Sequence, residues 1–288
     1  MEIKTVGVVG AGSMGAGIAN AFALNGYDVI LNDMEERFLD AGINHMNNFM
    51  ARSVEKGKLT EEDKQATLNR ITTTTDLQQF KEVDLVVEAI IENMDAKQQL
   101  FRQLDDIVRD DVILGTNTSS LSITEIASST NRADRVAGMH FFNPAQMMRL
   151  VEVVRGLETS DETVSILKSV SEVLQKEVVE VKKDSPGFIV NRIMIPQFIE
   201  AIKVLEEGIA SKEDIDKAMR YGLNHPMGSF ELQDYAGVDI GYHVMEYFQK
   251  EFADNRFAPP LLLKNMIRAG KYGKKSGEGF YQYKHPKS

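Results

Sequence analysis

The fold is decided near the N-terminus by the stretch Ile3-Lys-Thr-Val-Gly-Val-Val-Gly-Ala-Gly-Ser-Met-Gly15. Its first part, Ile3–Val9, is rich in β-branched residues and predicts a strand, and Ser13–Asn25 then has the pattern of a helix. A second predicted strand, Asp28–Asn32, ends directly before Asp33. A strand, a tight turn, a helix and another strand in this order indicate the start of a doubly wound α/β domain.

The turn between the first strand and the helix has the spacing G-x-G-x-x-G. It consists of Gly10, Ala11, Gly12, Ser13, Met14 and Gly15. The first glycine allows the tight turn, the second lets the backbone approach a pyrophosphate, and the third lets the helix pack on the strand. Asp33 is placed to accept a hydrogen bond from a ribose 2′-hydroxyl and to repel a 2′-phosphate, which favours NAD over NADP. FAD uses the same fingerprint, so this turn predicts a dinucleotide site without deciding the reaction.

The rest of the chain divides into two parts with different periodicity. Up to Asp184, strands alternate with helices, which predicts a Rossmann-type domain over residues 1–184 with a mostly parallel sheet covered on both faces. The predicted elements are a polar amphipathic stretch Glu35–Arg70, a helix Asp95–Val108, and strands Asp84–Ile90, Asp111–Thr116, Arg135–His140, Arg149–Val154 and Val178–Val181. Residues 185–288 are predicted to be all-helical, with helices Ser185–Glu207, Lys212–Tyr221, Val238–Phe252 and Pro260–Ala269. Ser211 is predicted to cap the second of these helices, and Pro186 to be the first residue of the helix Ser185–Glu207.

Composition excludes several classes of function. The chain has 288 residues and no cysteine, which excludes a disulfide framework, an iron–sulfur cluster and thiol chemistry, and no histidine pair has the H-E-x-x-H spacing, so no metal is expected. The net charge of −10 argues against nucleic-acid binding. Neither a signal-peptide layout nor a membrane-spanning apolar run is present, so we expect a cytoplasmic protein.

Candidate catalytic residues follow the predicted strands at the edge where ligands bind in doubly wound sheets. Asn117-Thr-Ser119-Ser120 follows one strand, and His140 ends the next. Oxidation of an alcohol by a nicotinamide needs a base, and histidine titrates near neutral pH. A carboxylate such as Glu152 would orient that base, and Ser119 would hydrogen-bond the reacting oxygen. The alternatives remain that His140 is structural and that Glu152 lies on an exposed face.

With these motifs the sequence resembles the 3-hydroxyacyl-CoA dehydrogenases, in particular their short-chain bacterial branch that acts on 3-hydroxybutyryl-CoA. The resemblance covers essentially the whole chain. It rests on Gly10–Gly15, Glu88-Ala-Ile-Ile-Glu92-Asn, Asn117-Thr-Ser-Ser-Leu121, His140-Phe-Phe-Asn-Pro144, Leu150-Val-Glu-Val-Val154, Asp184-Ser-Pro-Gly-Phe-Ile-Val-Asn-Arg192, His225-Pro-Met-Gly228 and Gly273-Lys-Lys-Ser-Gly-Glu-Gly-Phe-Tyr281.

The resemblance implies a role for each matching residue. His140 matches the catalytic base, and Glu152 matches the acid that orients it. Ser119 matches a residue close to the nicotinamide and the substrate oxygen, and Asn191 matches an amide that helps to hold the thioester or the 3-oxygen. Glu92, Lys97, Asn143 and Lys275 match contacts to the cofactor and other bound ligands. The helical second domain is implied to close over the acyl-CoA and to form a homodimer.

The site for coenzyme A is less well defined. The family contacts this anion from the helical stretch after the second strand, where Arg52, Ser53, Lys56 and Lys58 are available. A second basic run, from Lys264 to Lys287, is either a solvated tail or a further phosphate contact.

The resemblance implies NAD-dependent, reversible oxidation of a (3S)-3-hydroxyacyl-CoA to a 3-ketoacyl-CoA. Acyl chain length and physiological direction stay open, whether oxidation of fatty acids or reduction of acetoacetyl-CoA in butyrate-type metabolism. Two other functions also stay open. One is a related dehydrogenase that acts on a free hydroxy acid or sugar acid, and the other is a non-catalytic NAD-binding protein.

Overall fold

A computed structural model of the chain describes residues 2–283. The chain divides into two compact units, the first ending at Phe188 and the second starting at Ile189. The boundary expected at Asp184 lies a few residues before this division. Asp184 itself belongs to the first unit, where its carboxylate accepts hydrogen bonds from the Ser122 hydroxyl at 2.6 Å and the Thr124 N–H at 2.8 Å.

The first unit contains one eight-stranded sheet. Its strands are β1 (Thr5–Val9), β2 (Asp28–Asn32), β3 (Ile71–Thr74), β4 (Leu85–Glu88), β5 (Ile113–Thr116), β6 (Val136–Phe141), β7 (Leu150–Arg155) and β8 (Glu177–Val181). They lie in the order β3-β2-β1-β4-β5-β6-β7-β8. All pairs are parallel except β6 with β7. The predicted fold class is therefore confirmed, and the order reverses between β1 and β4, where such sheets bind ligands.

Both faces of this sheet are covered. Leu85 and Val87 of β4 pack into one apolar cluster, while Val86 between them packs into another on the opposite face. Successive side chains of a strand alternate between faces, so an unbroken apolar run marks a strand buried on both sides. The covering helices are α1 (Ser13–Leu24), α2 (Glu36–Glu55), α3 (Glu61–Asn69), α4 (Met94–Ile107), α5 (Ile123–Ala127) and α6 (Asp161–Val173).

The polar stretch Glu35–Arg70 forms two helices, α2 and α3. The chain turns at Gly57, which has a φ of +65°, and Thr60 then caps α3 by accepting a hydrogen bond from the Asp63 N–H at 3.0 Å. The sequence pattern did not predict β3, α5 and α6. β3 is a half-exposed Ile-Thr-Thr-Thr run at the sheet edge, so it lacks the apolar pattern that marks the inner strands.

The second unit is helical, as predicted. It contains α7 (Val190–Glu206), α8 (Lys212–Gly222), α9 (Ser229–Ala236), α10 (Val238–Phe252) and α11 (Leu261–Arg268) around its own apolar core. The predicted cap on α8 is confirmed, because the Ser211 hydroxyl oxygen accepts a hydrogen bond from the Asp214 N–H at 3.2 Å. The short helix α9 was not predicted.

The predicted start of the helix Ser185–Glu207, the first of the second unit, is wrong. α7 begins at Val190, not at Pro186. Gly187 and Phe188 have φ values of +76° and +52°, and a right-handed helix cannot pass through two left-handed residues. The proline of this helix is an internal one, Pro196.

Candidate active site

The glycine-rich turn after β1 has a shape that fits a dinucleotide. Gly10 has a φ of +100°, which glycine adopts without strain, and its N–H donates to the Asn32 carbonyl oxygen at 2.8 Å. A Cβ atom on Gly15 would lie 1.8 Å from the Gly10 carbonyl oxygen, so glycine is required there. A Cβ atom on Gly12 would meet no protein atom within 4 Å. The turn is tight on its inner side and open outwards, as a pyrophosphate approaching the start of α1 requires.

Asp33 lies beside this turn, at the end of β2. Its carboxylate accepts hydrogen bonds from the Ala11 and Met34 N–H groups, each at 2.7 Å. Each carboxylate oxygen has further lone pairs, so Asp33 can still accept a ribose hydroxyl. Ser13 is exposed and Met14 half-buried in the first turn of α1, where helix N–H groups have no partner within the helix. The residues present therefore suit NAD, and the carboxylate at Asp33 disfavours a 2′-phosphate.

His140 and Glu152 form a buried pair. They lie directly opposite each other on the antiparallel strands β6 and β7, and His140 Nδ1 is 2.7 Å from Glu152 Oε2. His140 is 4% exposed and Glu152 is fully buried. The alternative that Glu152 occupies an exposed face is therefore wrong. Because an ionised carboxylate only accepts hydrogen bonds, Nδ1 carries the proton, and Nε2 is left as the basic nitrogen.

Neighbouring groups hold the end of β6 in place. The Asn117 side-chain oxygen accepts a hydrogen bond from the Phe141 N–H at 2.8 Å, which ties the loop after β5 to the residue next to His140. The His140 ring also packs against Phe142 and Phe188, with ring centroids 4.5 and 5.5 Å away. These contacts limit rotation of the imidazole ring.

Ser119 contacts Glu92, which in turn contacts Lys97. Glu92 Oε1 accepts hydrogen bonds from the Thr118 hydroxyl at 2.6 Å and the Ser119 N–H at 3.0 Å, and it lies 3.4 Å from the Ser119 hydroxyl. Lys97, on α4, is 1% exposed and its ammonium lies 3.3 Å from Glu92 Oε2. These three residues, expected on the cofactor side, therefore form one cluster at the carboxyl edge of the sheet.

The Glu92 carboxylate is ionised at neutral pH. Burial raises the pKa of Glu92, but the Lys97 charge, the Thr118 hydroxyl and the Ser119 N–H together outweigh burial and hold the pKa below its ordinary value.

Asn143 lies in a short loop after β6. It is exposed, and the Asn143–Pro144 peptide bond is cis. The Lys176 ammonium anchors this loop by donating to the carbonyl oxygens of Ala145 and Met148, each at 2.8 Å. Asn143 therefore lies in a loop that Lys176 anchors and that follows directly after the strand carrying His140.

Three candidate residues for coenzyme A lie at the far end of α2. Arg52 and Lys56 are exposed, and the Ser53 hydroxyl donates to the Phe49 carbonyl oxygen at 3.2 Å. α2 has 20 residues and begins close to Asp33, so Arg52, Ser53 and Lys56 lie about 24 to 30 Å along the helix from its start near the predicted ribose site. Lys58 follows in the turn before α3. Their role stays a prediction.

Asn191 and Lys275 belong to the second unit. Asn191 lies in the first turn of α7. The Lys275 ammonium pairs with Asp239 at 2.7 Å and is about half exposed. Lys275 therefore has a structural partner as well as its predicted ligand role. Residues 284–287 of the basic run lie outside the described residues.

Sequence reasoning missed Glu88 and Lys176 as candidate site residues. Glu88 is fully buried at the end of β4, and its Oε1 lies 2.6 Å from the Lys97 ammonium. A signal was available, since a carboxylate that ends an apolar strand needs a partner when it is buried. Lys176 has no such signal, because its contacts are to backbone atoms of a distant loop.

Residues 2–283 contain neither of two further classes of site. No group of three or more His, Cys, Asp or Glu side chains is placed to hold a metal ion within that range. Within the same range, no helix combines the length and the apolar character that crossing a membrane needs.

Comparison with known proteins agrees with this geometry. Residues 5–185 match the family described as 3-hydroxyacyl-CoA dehydrogenase, NAD binding domain, and residues 187–283 match the C-terminal domain of the same enzymes. The chain is 45% identical over 288 residues to a probable 3-hydroxybutyryl-CoA dehydrogenase of Bacillus subtilis, covering 100% of both chains. It is 45% identical to the mitochondrial hydroxyacyl-coenzyme A dehydrogenase of Rattus norvegicus, covering 98% of this chain and 92% of that protein.

A solved structure is similarly close. The crystal structure of (S)-3-hydroxybutyryl-CoA dehydrogenase from Ralstonia eutropha matches with a TM-score of 0.95 and 46% identity, over 98% of this chain and 100% of that chain. Family matches over both units, full-length relatives and a shared fold lead to one conclusion. The chain belongs to the 3-hydroxyacyl-CoA dehydrogenase family.

Proposed function

We propose that this enzyme catalyses the reversible, NAD-dependent oxidation of a (3S)-3-hydroxyacyl-CoA to the 3-ketoacyl-CoA, with 3-hydroxybutyryl-CoA and acetoacetyl-CoA as the short-chain pair. The observation that carries this proposal is the buried His140–Glu152 pair, 2.7 Å apart, on the carboxyl side of a sheet whose first turn suits NAD. The family membership supplies the substrate class.

In the direction of oxidation, His140 Nε2 takes the proton of the 3-hydroxyl group. The Glu152 carboxylate keeps the proton on Nδ1 and stabilises the positive imidazolium that forms. Ser119 hydrogen-bonds the reacting oxygen from the loop after β5. In reduction the imidazolium returns the proton to that oxygen, so the same three residues serve both directions.

The cofactor would be held by the glycine-rich turn and Asp33 on one side, and by Glu92 with Lys97 on the other. When bound, NAD⁺ supplies the acceptor for the C3 hydrogen and its electron pair. Burial of His140 and Glu152 keeps water away from the base, which strengthens the electrostatic contribution of Glu152.

The two parts of the chain are proposed to have separate roles. Residues 1–184 would bind NAD, and residues 185–288 would contact the substrate, with Asn191 near the thioester or 3-oxygen, and would form a homodimer. The second unit exposes several large apolar side chains, which such an interface would bury. They include Ile193, Ile209, Tyr221 and Leu223, each at least 60% exposed. The cytoplasmic location stays a prediction.

The test is the loss of NADH absorbance with acetoacetyl-CoA, run beside NADPH and beside free acetoacetate. Rapid loss with NADH and the CoA ester, and not with the other two combinations, is the expected result. Turnover of free acetoacetate, or of another keto acid without coenzyme A, would move the substrate to a free acid. His140→Ala is expected to lose turnover by orders of magnitude and to keep NADH binding, and equal turnover would refute the base assignment.

A further inference from the structure

A cluster of three charges, two of them buried, lies outside the His140–Glu152 pair. Lys97 is 1% exposed and its ammonium contacts two carboxylates, Glu88 at 2.6 Å and Glu92 at 3.3 Å. Glu88 is fully buried, and the Glu92 side chain is 39% exposed. Two carboxylates and one ammonium give this Glu88–Lys97–Glu92 cluster a net charge of −1.

Hydrogen-bond donors surround both carboxylates. Glu88 accepts from the Ile90 N–H at 2.7 Å and from the Thr116 hydroxyl at 2.7 Å, in addition to Lys97. Each of these three groups donates to the Glu88 carboxylate, and hydrogen bonds to a carboxylate are charge-assisted. The Lys97 charge and hydrogen bonds from the loop after β5 hold the pKa of Glu92 below its ordinary value.

The position of the cluster follows from the topology. The adenosine half of the cofactor is assigned to Asp33, after β2, and the pyrophosphate to the turn after β1. The strands continue from β1 through β4 and β5 to β6, which ends with the base. A nicotinamide that receives hydrogen from an alcohol bound to His140 must therefore lie along the ends of β4 and β5. Glu88 ends β4, and Glu92 contacts Ser119 just after β5.

The two redox states of the cofactor differ in charge at this ring. The nicotinamide of NAD⁺ is positive, and that of NADH is neutral. A net negative cluster beside the ring therefore interacts with one state and not with the other. At an effective dielectric constant of about 20, two unit charges within about 12 Å interact by an amount equivalent to a tenfold change in affinity.

We propose that the Glu88–Lys97–Glu92 cluster selectively tightens the binding of NAD⁺ relative to NADH, and that Glu88 is a positioning residue that acts through Lys97. This inference rests on the proposed function, because it places the nicotinamide between the glycine-rich turn and His140. The cluster then favours the oxidised cofactor on the enzyme, independently of which acyl-CoA is bound.

The experiment measures the dissociation constants of NADH, by its fluorescence on binding, and of NAD⁺, by competition against NADH. Glu92→Gln is the main variant, because it removes one charge from a partly exposed side chain of unchanged size. The ratio of the NAD⁺ constant to the NADH constant is expected to rise about tenfold. Equal weakening of both cofactors, with an unchanged ratio, would overturn the proposal.

Two controls separate charge from contact. Ser120→Ala removes a hydroxyl from the same Glu92 oxygen without changing charge, and Glu125→Gln makes the same chemical change on the exposed side of α5. Both are expected to keep the wild-type ratio, whatever they do to either constant alone. A shift as large as that of Glu92→Gln in either control would also overturn the proposal.

Glu88 is tested by a second pair of variants. Glu88→Gln is expected to raise the ratio in the same direction as Glu92→Gln, and Glu88→Asp, which keeps the charge, to return it towards the wild-type value. A folded Glu88→Gln protein with the wild-type ratio would refute the role of Glu88. If this buried change prevents folding, Glu92→Gln alone decides the proposal.

The outcome is separable from that of the proposed function. These measurements use no acyl-CoA, so a shifted ratio in a protein that turns over no CoA ester would support the cluster and refute the substrate. Wild-type protein that binds neither NADH nor NAD⁺ would instead refute the cofactor assignment on which both depend.

Discussion

The variant Glu152→Gln removes one charge from the buried His140–Glu152 pair and keeps the size of the side chain. Nδ1 and Oε2 are 2.7 Å apart, and both side chains are at most 5% exposed. In that setting the imidazolium formed during the reaction loses a favourable interaction of about 4 kcal/mol, taking charge centres about 4 Å apart and an effective dielectric constant of about 20. At about 1.4 kcal/mol per factor of ten in rate, kcat should fall by about a thousandfold.

The glutamine has a second effect. Its amide nitrogen can donate to Nδ1, which would leave the proton on Nε2 and make that nitrogen unable to act as a base. The dissociation constant for NADH should change little, because Glu152 lies on β7, away from the glycine-rich turn. The loss should therefore appear in kcat and not in cofactor binding.

The assay is the initial rate of NADH absorbance loss with saturating acetoacetyl-CoA, together with fluorescence titration of NADH. Glu177→Gln is the matched control, since it makes the same substitution on an exposed side chain of β8 and is expected to keep wild-type rates. If Glu152→Gln retained a kcat within about fivefold of wild type, stabilisation of the imidazolium could not supply the energy worked out above, and the mechanism would be refuted.

Three other predictions concern the cofactor site and the stability of the first unit. Gly12→Ala should keep the wild-type Tm, because its Cβ would meet no protein atom, and should lose NADH affinity, because that Cβ would occupy the open side of the turn where the pyrophosphate is expected. Gly15→Ala should lower the Tm, because its Cβ would lie 1.8 Å from the Gly10 oxygen. The same Tm for both variants would contradict this interpretation. Asp33→Ala should raise the KM for NADH about tenfold, because one charge-assisted hydrogen bond to the ribose is lost. The KM for NADPH should be no higher than in wild type, because the charge that repels a 2′-phosphate is removed. A wild-type enzyme that prefers NADPH would refute the role of Asp33. Burial raises the pKa of Asp105, but hydrogen bonds from the Asn131 N–H and the Arg132 guanidinium outweigh burial and hold the pKa below its ordinary value. The ionised form therefore stabilises the fold above about pH 4, so the Tm of Asp105→Asn should be lower than that of wild type at pH 7, and this difference should shrink as the pH falls below about 4. A difference in Tm that stays constant with pH would contradict this assignment.

Much of the fold is predictable because its signals are local. The glycine-rich turn, the apolar runs of β1, β4 and β5, and the capping serine of α8 each depend on residues a few positions apart. Backbone conformation and burial on both faces of a strand leave a periodic trace in the sequence. The same reasoning fails where that trace is weak, as in the half-exposed strand β3, and where a left-handed residue such as Phe188 delays the start of α7.

The sequence by itself determined the residue types that the reaction needs and the edge of the sheet where they lie. It also assigned the chain to its family through motifs spread over most of its length. It did not determine the contacts between those residues. His140 meets Glu152 because β7 returns antiparallel to β6 in one register, and a shift of one residue would turn the Glu152 side chain to the other face.

The same holds for the Glu88–Lys97–Glu92 cluster. Glu88, Lys97 and Glu92 come from the end of a strand, a helix and the loop between them, and they meet only when α4 packs on the sheet. Lys176 reaches the carbonyl oxygens of a loop about thirty residues earlier in the chain. Such contacts depend on how distant segments pack, because strand register and helix placement are set by the whole core and leave no periodic signal in the segments that they join.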